Sequence, residues 1–500
     1  MFRYKLFYNP SDMINVKLTY YLIDIKNGYD VWSPDNNGYI TYSDYLGKDS
    51  QKANAFSVKT NLRLKENLKL SSITSYSIND IEYNYDSDWA NDDFWKDNYN
   101  WYPESESYEY ENPDHFYTSC YDNTGQFVNE NITQDACLAL NNDNIFYDGY
   151  YDYNFVDETT RKRDNISQEL RISGKNTLGG VYISKTTEDD LRKGYLMGGN
   201  VDSLASYFEM LSISAYASSE WELTDELSLV ARLRAESNSI KSDVDTKAYG
   251  FDAGSFNEET NSALWGGRIG LNRALDDYSN FGISLSKGYK SQGVNQSINI
   301  GSSSYQLSED LRTYDGEDAY NLELSYNYKD ETKVLSFNSF YMHRINPQVR
   351  LSYQLDPANP SSFDFYTVNA NKGYSYGIEG EFKAMITDKL YFYDSFALLR
   401  SHISSFEFIG DTIGNRAEAH APEFSASGGI EYNMDSGIYI KIDHNIMMDF
   451  YHEDQYDSKT EPYQILNGAL GWKKNKFEIS LWAKNILDEK YILRGMNFAL

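Results

Sequence analysis

The segment from residue 81 to residue 160 combines carboxylates with aromatic rings, a combination that could do binding chemistry. It holds 19 acidic residues, one lysine, 12 tyrosines and three tryptophans. Aromatic faces beside carboxylates suit stacking on sugars, or gripping cations and aromatic metal chelates. We therefore regard Trp89, Trp95, Tyr99 and Trp101 as candidate ligand-binding residues. The alternative is a solvated surface loop whose charge only keeps it soluble, although loops on rigid scaffolds tend to carry function.

Cys120 and Cys137 are the only cysteines in the chain, and both lie in this acidic segment. Their proximity is compatible with one disulfide formed in an oxidising compartment. The bond would close a loop of about seventeen residues and stabilise it by roughly 3 kcal/mol in the chain-entropy model. A cytosolic protein with two free thiols is the alternative. We expect the disulfide, which would hold a binding loop in shape.

Catalytic and metal-binding patterns are absent from the sequence. The six histidines are scattered without the spacing of a metal site, and no nucleophile elbow, phosphate-binding loop or CxxC pair occurs. The acidic run from Asp86 to Asp93, followed by Asp97, gives only a weak hint of a calcium loop. It lacks the turn-making glycine, and Ala90 occupies a ligand position. We therefore expect no catalytic residue, no metal site and no cofactor, and hence no enzyme.

Net charge and hydropathy exclude two further classes of protein. With 75 acidic against 45 basic residues the formal charge is -30, so nucleic acid would be repelled in the absence of a basic stripe. Mean hydropathy is -0.64, and no run of about eighteen apolar residues could span a bilayer as a helix. The 46 tyrosines suit a protein whose rings sit at a membrane interface. The chain is predicted to be neither a nucleic-acid-binding protein nor a helical membrane protein.

Strands must position the candidate residues, because apolar residues recur with a period of two along most of the chain. In residues 227–236 the odd-numbered positions are apolar, and Arg232, Arg234 and Glu236 stand on the alternate positions. The same alternation recurs twice near the carboxyl terminus. Lipid on one side of a sheet and water on the other explain this pattern. We therefore expect Arg232, Arg234 and Glu236 to face a water-filled lumen.

The connections between these strands alternate between short and long. Short turns rich in Asp, Asn and Gly recur along the chain, for example at 224–226 and 387–389. Between them lie polar stretches that we interpret as long loops, among them 81–160, 189–205 and 240–262. Short periplasmic turns and long external loops produce this asymmetry. The sequence therefore predicts an all-β fold, an antiparallel transmembrane β-barrel with about 18 strands present.

Three stretches of this pattern resemble the TonB-dependent receptors, the energised importers of the Gram-negative outer membrane. Residues 288–295, GYKSQGVN, are similar to a family segment that ends a mid-barrel strand. Residues 481–491, LWAKNILDEKY, are similar to the penultimate strand and its turn, and residues 167–182 resemble an early hairpin. The matching motif residues are Gly288, Tyr289, Lys290, Gly293, Asn295, Asn485 and Asp488.

The resemblance implies one receptor barrel domain over residues 1–500, filled by an amino-terminal plug and pulled by the inner-membrane TonB protein. Neither the plug nor the TonB box is present in the sequence, so we expect a fragment with about 18 of roughly twenty-two strands. Lys290 and Asn295 are candidates for a contact in the lumen. Gly288 and Gly293 are better explained by a bulge or a close backbone approach where strand meets loop.

The resemblance also implies the function and the partners. The expected function is active, TonB-energised uptake of a scarce solute across the Gram-negative cell outer membrane, with a ferric siderophore or similar metal chelate as the family's commonest substrate. Outer-membrane lipid, lipopolysaccharide, the plug, TonB and the solute are the expected partners. The acidic loop argues against a strongly anionic siderophore, because its field would lower that solute's local concentration. A passive porin, a glycan-importing receptor and a secreted soluble sugar-binding β-protein are the alternatives.

Overall fold

The structure of the chain is a computed structural model. The residues that it describes are 1–29, 40–87, 89–91, 94, 116–122, 127–130, 134–141, 145–150, 156–196, 201–248, 250–296, 309–354, 363–493 and 495. Strands dominate these residues, and the short helices Gln134–Leu140 and Glu309–Arg312 lie in connections between strands. None of the helices in the described ranges could span a membrane.

The described residues form 27 strands, and the connections between them differ greatly in length. They are, in chain order, β1 (Phe2–Ser11), β2 (Ile14–Tyr29), β3 (Gly47–Lys65), β4 (Leu68–Asp86), β5 (Phe116–Tyr121), β6 (Phe127–Glu130), β7 (Ile145–Tyr150), β8 (Val156–Ser173), β9 (Thr177–Leu196), β10 (Val201–Glu222), β11 (Leu227–Ala248), β12 (Phe251–Ala274), β13 (Ser279–Lys290), β14 (Gly293–Val294), β15 (Thr313–Tyr314), β16 (Glu317–Lys329), β17 (Lys333–Ile345), β18 (Gln348–Gln354), β19 (Phe363–Asn369), β20 (Lys372–Thr387), β21 (Leu390–Ile403), β22 (Phe406–Phe408), β23 (Asp411–Ile413), β24 (Phe424–Asn433), β25 (Ile438–Met447), β26 (Tyr463–Lys474) and β27 (Phe477–Ala483).

One antiparallel sheet of 18 strands forms the body of the molecule. Each strand pairs with the next along the chain, in the order β1-β2-β3-β4-β8-β9-β10-β11-β12-β13-β16-β17-β20-β21-β24-β25-β26-β27. Among the described residues, β1 pairs only with β2, and β27 pairs only with β26. The remaining strands form small hairpins and one three-stranded sheet in the long connections. The prediction of an all-β fold with about 18 antiparallel strands is confirmed.

Each main strand has one apolar and one polar face, because successive side chains point to opposite sides of a sheet. Leu233, Ile440 and Leu481 are 58%, 39% and 74% exposed, so the apolar side chains lie at the surface instead of in a core. The side of the sheet that carries them is termed the apolar face. The opposite side, with Arg234 and Glu236, is termed the polar face. The alternation in the sequence therefore predicts the two faces correctly.

Strands β9 to β12 extend further than the sequence pattern predicts. The prediction of long loops at 189–205 and 240–262 is wrong, because most of these residues lie in paired strands. Beyond the apolar band both faces of a strand contact water, so the alternation that marks a strand disappears while the backbone hydrogen bonds continue. A cross-strand ion pair supports the extension, between Lys241 and Glu259 at 3.4 Å.

The connections of the long-loop end pack into a hydrophobic cluster. We term this group the lid cluster; its buried members are Leu204, Val244, Phe256, Val349, Leu351, Tyr366, Ala370, Ile403, Phe406, Phe408 and Ile413. Val244 lies on the polar face of β11, an even number of residues from Arg234 and Glu236. Phe406 and Phe408 come from β22, beyond β21 and far from β11 in the sheet order. The lid cluster therefore bridges distant strands over the polar face, which faces the interior.

The Asp330 carboxylate closes the short turn between β16 and β17. Its Oδ1 accepts hydrogen bonds from the backbone N–H groups of Thr332 and Lys333, both at 2.7 Å. Its Oδ2 accepts one from the Tyr328 hydroxyl at 2.6 Å. The hydroxyl and the backbone donors stabilise the ionised form and lower the pKa of Asp330 below its ordinary value. The charged side chain therefore specifies the turn.

We expect Asp330→Ala to lower the urea midpoint of unfolding, because two backbone N–H groups lose their acceptor. The stabilisation is complete above the ordinary carboxyl pKa of about 4 and is lost as the pH falls through the lowered pKa of the folded protein. The folded fraction is measured at increasing urea concentrations, at pH 7 and at pH 3, from the difference in gel mobility between heated and unheated samples. The difference in urea midpoint between the variant and the parent protein should be smaller at pH 3 than at pH 7.

Asp388→Ala is the matched control for this turn prediction. In the short turn between β20 and β21, the Thr387 hydroxyl accepts hydrogen bonds from the backbone N–H groups of Lys389 and Leu390. The Asp388 carboxylate is not needed there, so the urea midpoint should not change. Equal losses in the two variants would show that the Asp330 hydrogen bonds are not the cause.

Candidate functional site

A buried ion network lies at the end of the GYK segment, residues 288–290, between the sheet and the lid cluster. The Glu317 carboxylate at the start of β16 accepts hydrogen bonds from Arg344 Nε at 2.7 Å and from the Gln348 backbone N–H at 2.9 Å. Lys290 Nζ lies 3.3 Å from the same carboxylate. The side chains of Glu317 and Arg344 are only 6% and 14% exposed, whereas that of Lys290 is 58% exposed. Arg344 is therefore the principal counter-charge of Glu317.

Glu418 completes the network from a loop on the other side of Arg344. Its carboxylate forms an ion pair with the Arg344 guanidinium. Burial raises the pKa of Glu418 above its ordinary value, and Arg344 only partly opposes this effect because the Asp454 and Glu317 carboxylates lie nearby. The network thus joins the sheet wall to the loop before β24. Two carboxylates balance the two cations Lys290 and Arg344, which leaves the arrangement suited to holding structure.

Asn295 joins three segments: the one after β14 that contains it, the helix Glu309–Arg312, and β19. Its side-chain amide donates hydrogen bonds to the carbonyl oxygens of Leu311 and Thr367, both at 2.8 Å, and its Oδ1 accepts one from the Thr367 N–H at 2.9 Å. Its backbone N–H donates to the Arg312 carbonyl at 2.8 Å. The amide predicted as a candidate for a lumen contact is thus fully used within the protein. Asn295 positions the lid instead of presenting a free amide.

The two motif glycines differ in what they make room for. A Cβ at Gly293 would lie 2.1 Å from the Tyr314 hydroxyl, so the absence of a side chain lets the Tyr314 ring pack against the backbone. A Cβ at Gly288 would meet nothing within 4 Å, and the pairing of β13 with β16 continues without a bulge through Gly288. The predicted close approach therefore occurs at Gly293 and does not occur at Gly288.

Arg234 and Glu236 form a paired cluster with the motif residue Tyr289. Arg234 Nε donates to Glu236 Oε2 at 2.8 Å, and the Tyr289 hydroxyl donates to the same oxygen at 3.0 Å. The Ser212 hydroxyl donates to Glu236 Oε1 at 2.8 Å. Arg232, one step nearer the short turn on the same face, is exposed and makes no ion pair with any described residue. The structure thus brings Arg234, Glu236 and Tyr289 together and leaves Arg232 open to solvent.

Asn485 and Asp488 shape the turn that follows β27. The Asn485 side chain accepts the Glu489 N–H at 3.0 Å and donates to the Glu489 carbonyl at 2.9 Å. Asn485 and Asp488 adopt positive φ angles of 49° and 53°, a conformation that Asn and Asp tolerate better than other side chains. The Asn485 side chain and the Asp488 backbone N–H, which donates to the Asn485 carbonyl at 3.0 Å, both serve the turn, which explains the spacing of this motif.

Of the four aromatic candidates in the acidic segment, Trp89 lies among the described residues. Residues 81–86 complete β4 and residues 156–160 open β8, so the connection itself is shorter than the sequence pattern predicts. Trp89 has a positive φ of 67° and lies close in sequence to the buried Phe94, whose ring is 4.4 Å from that of Tyr42. The candidates Trp95, Tyr99 and Trp101 lie outside the described residues.

A disulfide joins Cys120 and Cys137 in the same segment. Cys120 lies in β5, at the centre of the small sheet formed by β5, β6 and β7, and Cys137 lies in the helix Gln134–Leu140. Both residues are fully buried. The bond therefore fixes the helix against the small sheet.

Removal of the disulfide should open this part of the loop to protease. In Cys120→Ser/Cys137→Ser, the loss of a cross-link over 17 residues costs roughly 3 kcal/mol of local stability. Chymotrypsin is the suitable probe, because residues 116–150 contain Tyr, Phe and Leu but no Lys or Arg. New cleavage within this range on intact cells is expected, with Ser119→Ala as the uncleaved control. Two free thiols in the parent protein, found by mass spectrometry, would remove the basis of this prediction.

Metal ligation has no support in the part of the chain that is described. No three His, Cys, Asp or Glu side chains converge there in a group that could hold a metal ion.

The sequence did not predict the network of Glu317, Arg344 and Glu418. The alternation marks each of these residues only as polar, and their contact depends on the fold of three separate connections.

The comparisons with known proteins agree with this architecture. The family model of the TonB-dependent receptor-like β-barrel matches residues 7–486. The ferric yersiniabactin uptake receptor FyuA of Yersinia pestis is 17% identical, with 99% of this chain and 74% of that chain covered and a TM-score of 0.61. The siderophore receptor PiuA of Acinetobacter baumannii is 14% identical, with coverages of 96% and 68% and a TM-score of 0.62. The copper transporter OprC is 11% identical, with coverages of 98% and 68% and a TM-score of 0.65.

At these identities the solved structures establish the fold alone, whereas the family model rests on the sequence itself. It spans nearly the whole chain and includes the GYK segment, the Arg234–Glu236–Tyr289 cluster and the strand that precedes Asn485. The chain therefore belongs to the TonB-dependent receptors, and its sheet of 18 strands is the β-barrel of that family.

Proposed function

We propose that this chain forms the barrel of an outer-membrane receptor that imports a scarce solute, a ferric siderophore or similar metal chelate, with energy delivered through TonB. Membership in the TonB-dependent receptor family is the observation that carries the proposal. Members of this family are transporters and not enzymes, in agreement with the expectation from the sequence. Gram-negative outer-membrane location, a plug inside the barrel and contact with TonB belong to the same proposal.

The lid cluster supports an importer over a passive porin. Connections from distant strands pack together over the polar face, where a diffusion pore would need an open water path. Asn295 and the Glu317–Arg344–Glu418 network fasten these connections to the barrel wall. A mouth that is covered and internally bonded suits capture of a bound solute followed by energised release into the barrel.

The proposed contacts with the solute lie at the long-loop end. Trp89, Trp95, Tyr99 and Trp101 offer aromatic faces, and the excess of acidic residues in their segment favours a cationic or neutral chelate over a strongly anionic one. Arg232 is an exposed cation of the polar face. The solute would meet the aromatic loop first and the polar wall later.

The relatives support a metal-containing cargo. FyuA is a receptor for ferric yersiniabactin, PiuA is a siderophore receptor, and OprC is a copper transporter. A ferric chelate and a copper ion share the feature of a scarce, charged metal, so both must be included in a test. The ferric chelate is proposed because one of these three neighbours is named for a ferric ligand and another for a siderophore.

Uptake by cells that carry or lack the intact gene tests the proposal. Radiolabelled iron supplied as ferric siderophores of different charge, and radiolabelled copper ions, are measured with and without a protonophore and in a strain without TonB. The expected result is uptake of one ferric chelate that needs the gene, TonB and the proton gradient. Uptake that persists without TonB, or swelling of liposomes in simple sugars, would identify a porin and overturn the proposal.

A further inference from the structure

A row of rings crosses three neighbouring strands on the apolar face near the long-loop end. His343 of β17 stands directly opposite Tyr374 of β20, and Tyr374 stands directly opposite His402 of β21. The ring centroids of Tyr374 and His402 lie 5.0 Å apart with planes within 24°. The ring of Tyr376, two residues along β20, stacks on that of Tyr374 at 6.4 Å. The rings thus form a continuous surface strip.

Two cations flank this strip. Lys372 lies directly opposite Ile345, which follows His343 by two residues and therefore points to the same face. Arg400 lies directly opposite Tyr376. The Lys372 side chain has no hydrogen bond or ion pair with any described residue, although its backbone N–H donates to Ser404. Among the residues that the structure describes, Arg400 pairs only with Glu423; their side chains are 60% and 53% exposed, so this surface pair contributes little. We term the group the interfacial patch; it consists of His343, Lys372, Tyr374, Tyr376, Arg400 and His402.

The interfacial patch lies at one edge of the apolar band. Tyr320 stands directly opposite His343, and Tyr328 lies eight residues further along β16 at the short-turn end, in ring contact with Tyr278. Eight residues span about 26 Å along a strand, or about 20 Å of height at the usual barrel tilt, comparable to the apolar band of membrane barrels. The intervening positions on this face are Leu322 and Leu324, with Tyr326. The interfacial patch is therefore at the level of the headgroups of the outer leaflet.

The histidines and tyrosines of the interfacial patch have no hydrogen-bond acceptors among the described residues. Neither the imidazoles of His343 and His402 nor the hydroxyls of Tyr374 and Tyr376 make a hydrogen bond with any residue in the described ranges. Together with Lys372 and Arg400 they form an array of N–H and O–H donors with local positive charge. The chain as a whole has a charge of -30. A group of donors and cations at this depth complements an anionic headgroup, which supplies several acceptor oxygens.

We propose that the interfacial patch binds the phosphorylated headgroup of lipopolysaccharide in the outer leaflet. Lys372 and Arg400 contact phosphate oxygens, and the histidines and tyrosines donate hydrogen bonds to phosphate and sugar oxygens. The proposal rests on the outer-membrane location given under the proposed function. It does not depend on the identity of the imported solute.

The test measures binding of fluorescent lipid A to the intact receptor in detergent. Parent protein is compared with Lys372→Ala/Arg400→Ala and with His343→Ala/His402→Ala. The matched control is Lys52→Ala/Lys162→Ala, which removes two lysines that stand beside Asp80 in neighbouring strands, outside the interfacial patch. Lipid A without phosphates and inorganic phosphate are the competing ligands. Heat-modifiable gel mobility establishes that each variant is folded.

We expect affinity for lipid A to fall at least tenfold in the lysine–arginine variant and several-fold in the histidine variant, with no change in the control. Dephosphorylated lipid A should bind the parent as weakly as phosphorylated lipid A binds the variant. Equal binding by parent and patch variants would overturn the proposal, as would full competition by inorganic phosphate. Solute uptake should be unchanged in the patch variants, so failure of the proposed import leaves this result intact and distinguishable.

Discussion

Arg344→Met should destabilise the folded protein by roughly 3–5 kcal/mol, because it leaves a buried carboxylate without its counter-charge. Arg344 Nε and a terminal nitrogen contact both oxygens of Glu317, at 2.7 and 3.1 Å, and the other terminal nitrogen contacts Glu418. The remaining cation, Lys290, is mostly exposed and contacts a single oxygen. It cannot take over the role of Arg344. The free energy of unfolding in urea, followed by gel mobility, measures the effect.

Two further variants separate the loss of an ion pair from the loss of packing. Arg344→Met/Glu317→Gln should recover a large part of the lost stability, since it removes the uncompensated charge. Lys290→Met should change stability by about 1 kcal/mol or less, as for an exposed pair. If the double variant is as unstable as Arg344→Met alone, the effect comes from packing and the importance assigned to the charge pair is wrong.

Asn295→Ala should release the lid while it leaves the barrel strands intact. The substitution removes three side-chain hydrogen bonds and leaves the half-buried Leu311 and Thr367 backbone groups without these partners, at a cost of about 1 kcal/mol for each group. Hydrogen exchange followed by mass spectrometry measures the result. Faster exchange is expected in 309–314 and 363–369, with unchanged protection in β11.

Asn371→Ala is the control for the Asn295 prediction. Its side chain makes one exposed hydrogen bond of 3.4 Å, to the Ser405 carbonyl, so little protection should be lost. Asn295→Asp keeps the shape but replaces a donor by an acceptor opposite two carbonyls, and it should resemble Asn295→Ala. Uniform loss of protection across the whole barrel would show that Asn295 supports global stability and not the lid.

The membrane-spanning portions of the strands could be predicted from the sequence because hydrocarbon demands an apolar face. Alternation in 227–236 correctly separates Leu233 from Arg234 and Glu236. The same criterion failed at 189–205 and 240–262, where strands continue in water and either face tolerates charge. The pattern therefore identified the part of each strand that is constrained by its surroundings, and it missed the part that only the backbone ladder maintains.

The candidate site was predicted less well than the fold, for a physical reason. The sequence pointed to Lys290 and Asn295, but it could not show that Asn295 is occupied by the Thr367 and Leu311 backbone, since those residues join it only through folding. Likewise nothing in the spacing connects Glu317 to Glu418. Local motifs report local turns well, as at Asn485, whereas contacts among long connections depend on the whole chain.

The main strands differ greatly in length, and this gives the barrel an uneven outer rim. β12 has 24 residues and β24 has 10, while both begin or end at short turns on the opposite side. The rim therefore stands tall along β9 to β12 and low along β24 to β27. The ends of β9 to β12 therefore form a wall that extends beyond the ends of the strands on the other side of the sheet. Strand length alone, without any loop, thus makes the long-loop end of the sheet asymmetric.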